Sequence, residues 1–144
     1  MPSTGPEVAA VHVAVGVVLD QAGRVLITRR ASNSHQGGLW EFPGGKVEAG
    51  ESLLVALARE LHEELGIAIG RTSPLLEVHH DYGDKCVLLD VHVVWEFSGE
   101  ARGLEDQPLQ WVAPGKLGLY GFPAANEPII DALTELLQVS AGPD

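Results

Sequence analysis

Residues 45–67 read GKVEAGESLLVALARELHEELGI, and this stretch carries the clearest helix signal of the chain. Residues 52–65 are mainly good helix formers, Ser52 can cap the first turn, and Gly66 can end the helix. With about 100° per residue, three glutamates fall on one stripe of this helix and a leucine-rich set falls on the neighbouring stripe. The stretch therefore predicts an amphipathic helix with an acidic face beside its core face.

The acidic stripe consists of Glu60, Glu63 and Glu64, and two more glutamates precede the helix. Only Lys46 and Arg59 offset these five carboxylates. A glutamate pair on an isolated helix usually forms a solvated face, and that interpretation stays open. Like charges gathered this closely repel one another, however, and a hard divalent cation with oxygen ligands relieves the repulsion. The stripe is therefore a candidate metal site.

Strand-like segments surround this helix on both sides. Residues 11–19 and 24–28 are rich in β-branched residues and flank a turn at 20–23, which predicts a hairpin of two antiparallel strands. Further strands are predicted at 75–80, 86–97 and 109–112, and a second amphipathic helix at 128–137. The order of strands, helix, strands and helix predicts an α+β fold in which a mixed β-sheet is sandwiched between helices.

Length and composition predict a single domain. The chain has 144 residues, of which 45% are hydrophobic, and this suffices for one core without metals or disulfides. We expect the domain to span 9–138, between flexible ends at 1–8 and 139–144 that contain Pro, Gly and Ser. The single cysteine, Cys86, excludes an internal disulfide and favours a cytoplasmic location.

Charge and hydropathy argue against several kinds of partner. The chain has 9 Lys and Arg against 20 Asp and Glu, a net charge of −11, and no basic run that could follow a nucleic-acid backbone. No stable complex with nucleic acid is therefore expected. Residues 1–7 lack the features of a signal peptide, and no apolar run approaches the roughly 18 residues of a membrane span. We expect a monomer with a small-molecule substrate and no membrane association.

The central stretch matches a known signature. Gly45, Glu51, Arg59-Glu60-Leu61, Glu63-Glu64 and Gly66-Ile67 fit G-x5-E-x7-R-E-U-x-E-E-x-G-U without a mismatch, where U is aliphatic. The chain thus resembles the Nudix hydrolases. The resemblance implies the Nudix fold, a mixed sheet between helices. It also implies hydrolysis of a nucleoside diphosphate linked to another moiety, with Mg²⁺ as the cofactor and Mn²⁺ as a substitute.

The resemblance also implies roles within the signature. Glu60, Glu63 and Glu64 are implied as the catalytic glutamates, which hold the metals together with the backbone carbonyl of Gly44. Glu60 is the candidate general base, although the glutamate that takes this role varies among Nudix enzymes. A carboxylate site would repel a pyrophosphate substrate unless divalent cations reversed the local charge. The other charged residues of the signature are expected to brace the loop against the helix as a structural pair, Arg59 with Glu51.

Flanking motifs narrow the resemblance within the family. ITRR at 27–30, EFPGGK at 41–46 and FPAANEP at 122–128 resemble the bacterial MutT-type 8-oxo-dGTP diphosphatases. This likeness implies hydrolysis of 8-oxo-dGTP, and of 8-oxo-GTP, to the monophosphate and pyrophosphate, a reaction that sanitises the nucleotide pool and prevents mutation. It implies substrate-binding roles for Arg30, His35, Phe42, Lys46 and Asn126, and a further catalytic or metal-binding carboxylate at Glu105. For Arg30, His35 and Glu105, an ordinary surface role stays open.

Asn126 has a chemical rationale as a base-recognition residue. Normal guanine offers two acceptors, N7 and O6, on its Hoogsteen edge. In 8-oxoguanine N7 carries a hydrogen, so the edge presents a donor beside an acceptor, and an Asn amide supplies the complementary pair. The alternative is that Asn126 caps the second helix, because Asn is favoured at helix starts and Pro128 falls in the first turn.

Other features are less specific. Lys85 stands in the mid-chain hairpin where similar proteins have an arginine, so the contacts of this loop stay open. The histidines show no metal-ligand spacing shared with a cysteine, and zinc is not expected. Five apolar residues are candidates either for the walls of a base pocket or for ordinary core, namely Val11, Val13, Val87, Pro123 and Ala125.

Two other functions compete with 8-oxo-dGTP hydrolysis. The first is a Nudix pyrophosphatase that acts on other nucleoside triphosphates or on ADP-ribose, for which guanine oxidation would not matter. The second is a non-catalytic module that binds 8-oxoguanine. Such modules usually lack the catalytic carboxylates and accompany a larger domain, so the intact signature and the acidic charge favour an enzyme.

Overall fold

The computed structural model describes residues 10–30, 38–83 and 85–141. In chain order the strands are β1 (Ala10–Val18), β2 (Val25–Arg29), β3 (Trp40–Glu41), β4 (Gly44–Lys46), β5 (Ala68–Ile69), β6 (Thr72–Asp81), β7 (Cys86–Val94), β8 (Phe97–Ser98) and β9 (Leu109–Val112). The α-helices are α1 (Leu53–Leu65) and α2 (Glu127–Ala141), and 3₁₀ turns span Pro114–Leu119 and Ala124–Asn126.

A mixed four-stranded sheet, ordered β4-β1-β7-β6, forms the centre of the fold. β1 and β7 pair in parallel, in a register that sets Val13 opposite Leu89. β6 and β7 pair antiparallel, as the predicted mid-chain hairpin requires, although β7 ends at Val94 and Phe97 belongs to the separate strand β8. The remaining strands form sheets ordered β3-β2-β9 and β5-β8.

The predicted pairing of the first two strands is wrong beyond the turn. The chain reverses at residues 20–23, but within the described residues β1 and β2 do not pair, and a single bridge joins Leu19, just after β1, to Val25. The reason is that β4 and β7 occupy the two edges of β1, so that neither edge is left for β2. β2 pairs instead with β3 and β9 in a sheet of its own.

Alternating residues of β1 build two cores on opposite faces of the central sheet. Val15 belongs to a buried cluster that contains Ile129 of α2. Ala14 and Val18 belong to a second buried cluster, which contains Leu61 of α1. The sheet therefore lies between the two helices, which confirms the predicted α+β sandwich.

Both ends of α1 follow the prediction. The Ser52 hydroxyl accepts a hydrogen bond from the backbone N–H of Val55 at 3.2 Å, which caps the first turn. Gly66 ends the helix in the left-handed region with a φ of 73°, and its N–H donates to the carbonyl oxygen of His62. Local sequence therefore fixes the helix that carries the acidic stripe.

The second helix is longer than predicted. α2 begins at Glu127 and continues to Ala141, past the predicted end at residue 137 and into the predicted flexible tail. The sequence has no Gly or Pro between Leu137 and Gly142, so nothing breaks the helix in this segment. Residues 1–9 and 142–144 lie outside the described residues, and flexibility of the ends stays a prediction. Within the described part, no helix is long and apolar enough to span a membrane.

Candidate active site

The acidic stripe of α1 faces two glycines of β4. The Glu60 carboxylate lies directly against Gly45, where an added Cβ would overlap it. Gly44 has a φ of 153°, and a Cβ on this residue would collide with the backbone carbonyl oxygen of Ala14. Position 44 therefore requires glycine, whereas a side chain at position 45 would displace the Glu60 carboxylate. The two glycines let the β4 backbone approach this carboxylate closely.

Arg59 fastens the preceding loop to the helix. Its guanidinium donates two hydrogen bonds to the Glu51 carboxylate, at 2.7 and 2.9 Å, and one to the carbonyl oxygen of Lys46 at 3.0 Å. The Arg59 hydrogen bonds, together with one from the backbone N–H of Glu48, lower the pKa of Glu51 to about 2. The predicted bracing pair of Arg59 and Glu51 is therefore present.

The same guanidinium also holds two carboxylates of the stripe. Nη1 of Arg59 donates to Oε2 of Glu60 at 2.9 Å and to Oε1 of Glu63 at 3.2 Å. Glu60 is largely buried, whereas the side chain of Glu63 is 55% exposed. Glu63 therefore lies at the rim of the acidic group rather than inside it.

Glu64 is the most perturbed carboxyl group of the stripe. Its Oε2 atom is buried and has no hydrogen-bond partner among the described residues. Burial, a hydrogen bond with Glu60, and the charges of Glu60, Glu105 and Glu41 raise the pKa of Glu64 far above its ordinary value. Metal-free protein at neutral pH therefore favours the protonated form of Glu64.

These residues fit a hard divalent cation. Among the described residues, no three His, Cys, Asp or Glu side chains converge into a fully formed metal site, and Arg59 engages oxygens of both Glu60 and Glu63. The unpartnered Oε2 of Glu64, crowded by like charges, nevertheless has the chemistry of an oxygen ligand for Mg²⁺ or Mn²⁺. Glu60 and Glu64 come together as predicted, and Glu63 shares the Arg59 guanidinium with Glu60 at the exposed rim.

A cavity of about 290 Å³ opens beside Glu64, and we name it the carboxylate cavity. Glu105, predicted as a further catalytic carboxylate, lies on its wall in the loop that precedes β9. The neighbouring Asp106 has a φ of 62°, so this loop makes a tight turn. The lining residues are Thr28, Arg29, Arg30, Glu41, Glu64, Glu105, Asp106, Gln107 and Pro108.

A second cavity, of about 270 Å³, is lined by aliphatic and aromatic residues together with polar ones, and we name it the apolar cavity after the former. Of the predicted wall residues, Val13, Pro123 and Ala125 line it. Val11 and Val87 do not line it, and they are paired with each other near the start of β1 and β7. The wall also contains residues that were not predicted, namely Val15, Tyr82, Leu89 and Ile129.

Arg30 and Glu41 line both cavities and therefore stand at their junction. Nη1 of Arg30 donates to Oε1 of Glu41 at 2.8 Å, and both side chains are one-third exposed. Arg30 was predicted as a substrate-binding residue, whereas Glu41 was not predicted. The sequence could have indicated Glu41 as a site residue, because it stands directly before Phe42 in the EFPGGK motif.

Phe42 and Lys46 both line the apolar cavity, but Phe42 is buried and Lys46 is exposed. Phe42 is buried and stacks on Phe122, with ring centroids 5.2 Å apart, so it forms a rigid part of the wall. Lys46 is exposed and lines the same cavity, which leaves its ammonium group accessible. His35, the remaining predicted substrate-binding residue, lies outside the described residues.

Asn126 lines the apolar cavity with a half-buried side chain. It lies in the 3₁₀ turn that leads directly into α2, and its backbone N–H donates to the carbonyl oxygen of Pro123 at 2.9 Å. A helix cap takes an extended backbone instead, so the alternative role of Asn126 as a cap is not supported. The Asn126 carboxamide makes no hydrogen bond with the described residues.

The mid-chain hairpin reaches the apolar cavity through Tyr82. The N–H of Tyr82 donates to the carbonyl oxygen of Lys85 at 2.8 Å, which closes the hairpin turn. Tyr82 lines the cavity, whereas Lys85 is exposed and does not line it. The hairpin therefore contributes an aromatic ring rather than a charge to the cavity wall.

The fold, the Gly-Gly strand and the acidic helix together define the class of protein. The sequence model of the NUDIX domain matches residues 14–132, and the chain belongs to the Nudix hydrolase family. This confirms the resemblance and the fold predicted from the signature.

Individual relatives narrow the comparison. The chain is 38% identical over 125 residues to a protein of Escherichia coli named 8-oxo-dGTP diphosphatase, an alignment that covers 87% of this chain and 97% of the relative. It is 34% identical over 122 residues to the Escherichia coli CTP pyrophosphohydrolase, covering 85% of this chain and 90% of the relative. A solved structure from a study of MutT of Aliivibrio salmonicida and Vibrio cholerae superposes with a TM-score of 0.79 at 36% identity, covering 89% and 99% of the two chains.

Proposed function

We propose that this protein hydrolyses 8-oxo-dGTP, and 8-oxo-GTP, to the nucleoside monophosphate and pyrophosphate, and that it thereby removes oxidised guanine from the nucleotide pool. The observation that carries the proposal is the Asn126 carboxamide, which lines the apolar cavity without a hydrogen-bond partner among the described residues. A half-buried amide in an apolar wall leaves its donor and acceptor available for a ligand.

The two adjoining cavities suit the two ends of a nucleotide. The apolar cavity brings the Phe42 ring and aliphatic side chains beside the Asn126 amide. This combination suits a base, because base pockets join apolar walls to polar groups that fix the orientation of the ligand. The carboxylate cavity is lined by Glu64 and Glu105, and Arg30 lines both cavities. Arg30 is therefore placed to bind the phosphate chain, for which its guanidinium provides a bidentate donor.

The proposed metal ligands are Glu60, Glu64 and the backbone carbonyl of Gly44, with Glu63 at the rim. When bound, Mg²⁺ or Mn²⁺ supplies neutralisation of the polyphosphate charge and acidification of a coordinated water. Gly45 keeps the β4 backbone against the Glu60 carboxylate, and Arg59 holds this carboxylate from the other side. Glu60 is the proposed general base, and Glu105, on the wall of the carboxylate cavity, is proposed as a further catalytic or metal-binding carboxylate.

Base recognition rests on the complementarity of Asn126 to the oxidised Hoogsteen edge. The amide oxygen can accept from N7–H of 8-oxoguanine, and the amide NH₂ can donate to O6. Normal guanine would set its N7 lone pair against the amide oxygen, because it carries no hydrogen there. We therefore expect discrimination by a hydrogen-bonding site, which can reach about 10⁴-fold.

A cytosine nucleotide is the second candidate substrate. The Watson–Crick edge of cytosine also presents an amino donor beside a ring-nitrogen acceptor, so the Asn126 amide could pair with it as well. One relative, at 34% identity, is named CTP pyrophosphohydrolase. An experiment therefore has to decide whether the protein prefers a cytosine nucleotide or an oxidised guanine nucleotide.

A substrate panel tests the proposal. With Mg²⁺, we expect kcat/KM for 8-oxo-dGTP to exceed that for dGTP, CTP, dCTP and ADP-ribose by several orders of magnitude, and EDTA to abolish turnover. Asn126→Ala should reduce the preference for 8-oxo-dGTP over dGTP, since removal of a paired amide costs about 1–3 kcal/mol, while metal-dependent hydrolysis survives. A preference for CTP or dCTP in the wild-type protein would replace the proposal with the second candidate.

Two structural proposals accompany this function. We propose that residues 9–138 form one Nudix domain, consistent with the two cores that share the central sheet. We also propose that the protein acts as a cytoplasmic monomer on a free nucleotide rather than on nucleic acid, since its net charge of −11 opposes binding to a phosphate backbone.

A further inference from the structure

The side chain of Gln107 bridges two carboxylate-bearing segments of the candidate active site. Its Oε1 accepts a hydrogen bond from the backbone N–H of Glu105 at 2.8 Å. Its Nε2 donates to the backbone carbonyl oxygen of Glu64 at 3.2 Å. One half-buried amide therefore connects the loop that carries Glu105 with the C-terminal turn of α1.

The loop from Arg102 to Gln107 is fastened to the end of α1 by backbone bonds as well. The N–H of Arg102 donates to the carbonyl oxygen of Leu65 at 2.9 Å, and the N–H of Leu104 donates to that of Glu64 at 3.0 Å. These carbonyls belong to the last turn of a helix, which has no partner for them within the helix. The loop therefore provides hydrogen-bond donors for the last carbonyl groups of α1.

The loop makes a tight turn directly before Gln107. Asp106 has a φ of 62°, and its N–H donates to the carbonyl oxygen of Gly103 at 3.0 Å. A Cβ on Gly103 would collide with the backbone carbonyl oxygen of Gln107. The loop thus closes on itself, and the Gln107 amide adds one hydrogen bond within the loop and one to α1.

The Glu105 carboxylate, in contrast to the backbone of its loop, is not held by hydrogen bonds within the described residues. Glu105 is exposed, and its side chain forms no hydrogen bond or ion pair with the described residues. Glu105 and Glu64 nevertheless line the same cavity. The position of this carboxylate relative to Glu64 is therefore set by the backbone of the loop, and Gln107 holds that backbone at Glu105 itself.

We propose that Gln107 is a positioning residue, which fixes the Glu105 carboxylate opposite Glu64 across the carboxylate cavity by bonding the N–H of one residue and the carbonyl oxygen of the other. The proposal rests on the proposed function, since it assigns Gln107 to the site that hydrolyses the nucleotide. Residues that orient carboxylate ligands typically alter metal affinity or activity by about 10–100-fold when mutated.

The test compares Gln107→Leu with Gln110→Leu. Leucine fills a similar volume and makes neither hydrogen bond, and Gln110 is an exposed glutamine three residues further on, in β9. We expect Gln107→Leu to speed hydrogen exchange of the Glu105 amide, to weaken Mn²⁺ binding to the nucleotide-free protein about 10-fold, and to lower kcat with little change in KM. Gln110→Leu should match the wild type. Unchanged Mn²⁺ affinity and unchanged exchange in Gln107→Leu would overturn the proposal.

A double-mutant cycle with Glu105→Gln tests whether Gln107 acts through Glu105. If it does, Gln107→Leu should weaken Mn²⁺ binding in the wild-type background and have little further effect once Glu105 is Gln. Equal effects in both backgrounds would contradict the proposed role. In Gln107→Glu a carboxylate oxygen can still accept from the Glu105 N–H, so protection of this amide should largely return; exchange as fast as in the leucine variant would also overturn the proposal.

These measurements separate this inference from the proposed function. Mn²⁺ binding and amide exchange need no nucleotide, so they report on Gln107 whatever the substrate is. Failure of the wild-type protein to hydrolyse 8-oxo-dGTP would remove the proposed function alone. If the wild-type protein hydrolyses 8-oxo-dGTP but the effects of Gln107→Leu and Glu105→Gln on Mn²⁺ binding are additive, only the proposed role of Gln107 is contradicted.

Discussion

The carboxylate of Glu60 lies directly against the backbone of Gly45, in space that a single methyl group on this glycine would occupy. Gly45 begins the Nudix signature, and Glu60 lies in the middle of it, one on a strand and the other on a helix. A side chain at the start of the signature would therefore displace the carboxylate fifteen residues later.

We expect Gly45→Ala to lower kcat by about 10²-fold, because the displaced Glu60 carboxylate loses its place beside β4. KM for the nucleotide should change less than kcat, since the displaced group is the Glu60 carboxylate, which does not line the apolar cavity. Gly115→Ala is the matched control, because a Cβ at Gly115 would meet no atom within 4 Å. Full activity in folded Gly45→Ala protein would show that the close approach is not needed for catalysis.

The position of each carboxylate predicts a graded response to neutralisation. Glu60→Gln and Glu64→Gln should each lower kcat by about 10²-fold or more, because both carboxylates lie inside the acidic group. Glu63→Gln should have a smaller effect, since this side chain is 55% exposed and lies at the rim. Glu135→Gln, at an exposed position of α2, serves as the control. Near wild-type turnover in all three variants would mean that the stripe is only a solvated face.

The raised pKa of Glu64 predicts that metal binding releases protons. Metal-free protein at pH 7 holds a proton on Glu64, and a cation binds the deprotonated form, so each binding event should release up to about one proton. Calorimetric titration with Mn²⁺ in two buffers of different ionisation enthalpy measures this number. The release should disappear in Glu64→Gln, and affinity in the wild type should increase with pH between 6 and about 8. An equal proton release from the variant would assign the proton to another group.

The lowered pKa of Glu51 predicts a loss of stability in acid. Its ordinary pKa of 4.5 falls to about 2 in the folded protein, mainly through the hydrogen bonds from Arg59. A depressed folded-state pKa stabilises the protein fully above about pH 4.5, and this contribution disappears as the pH falls towards 2. The difference in Tm between the wild type and Glu51→Gln should therefore be largest at neutral pH and should shrink between pH 4.5 and 2. A Tm difference that is independent of pH would contradict this role of the ion pair.

The proposed reaction also predicts the fate of the oxygen of water. If water attacks the β-phosphorus, as the resemblance to the family implies, hydrolysis in ¹⁸O-labelled water should place the label in pyrophosphate and leave 8-oxo-dGMP unlabelled. Mass spectrometry of both products measures the distribution. Label in the monophosphate would indicate attack at the α-phosphorus instead, and release of orthophosphate would exclude the proposed products.

Local sequence determined the helix that carries the acidic groups. Hydrogen bonds of an α-helix join residues four apart, so Ser52 and Gly66 fix its ends and the 3.6-residue period fixes which glutamates share a stripe. The bracing pair of Arg59 and Glu51 also follows from the signature, because the segment that connects them is short. These features required no knowledge of distant parts of the chain.

Tertiary structure alone decided how strands pair and which distant residues meet the helix. β1 has two edges and could pair with any strand, and its partners became β4 and β7 rather than its neighbour β2 because strand pairing joins residues far apart in sequence. The same long-range packing placed Glu41 beside Arg30 and the Gln107 amide between Glu105 and Glu64. The periodicity of the sequence does not predict such contacts, because each depends on how segments that are separate in the chain pack together in space.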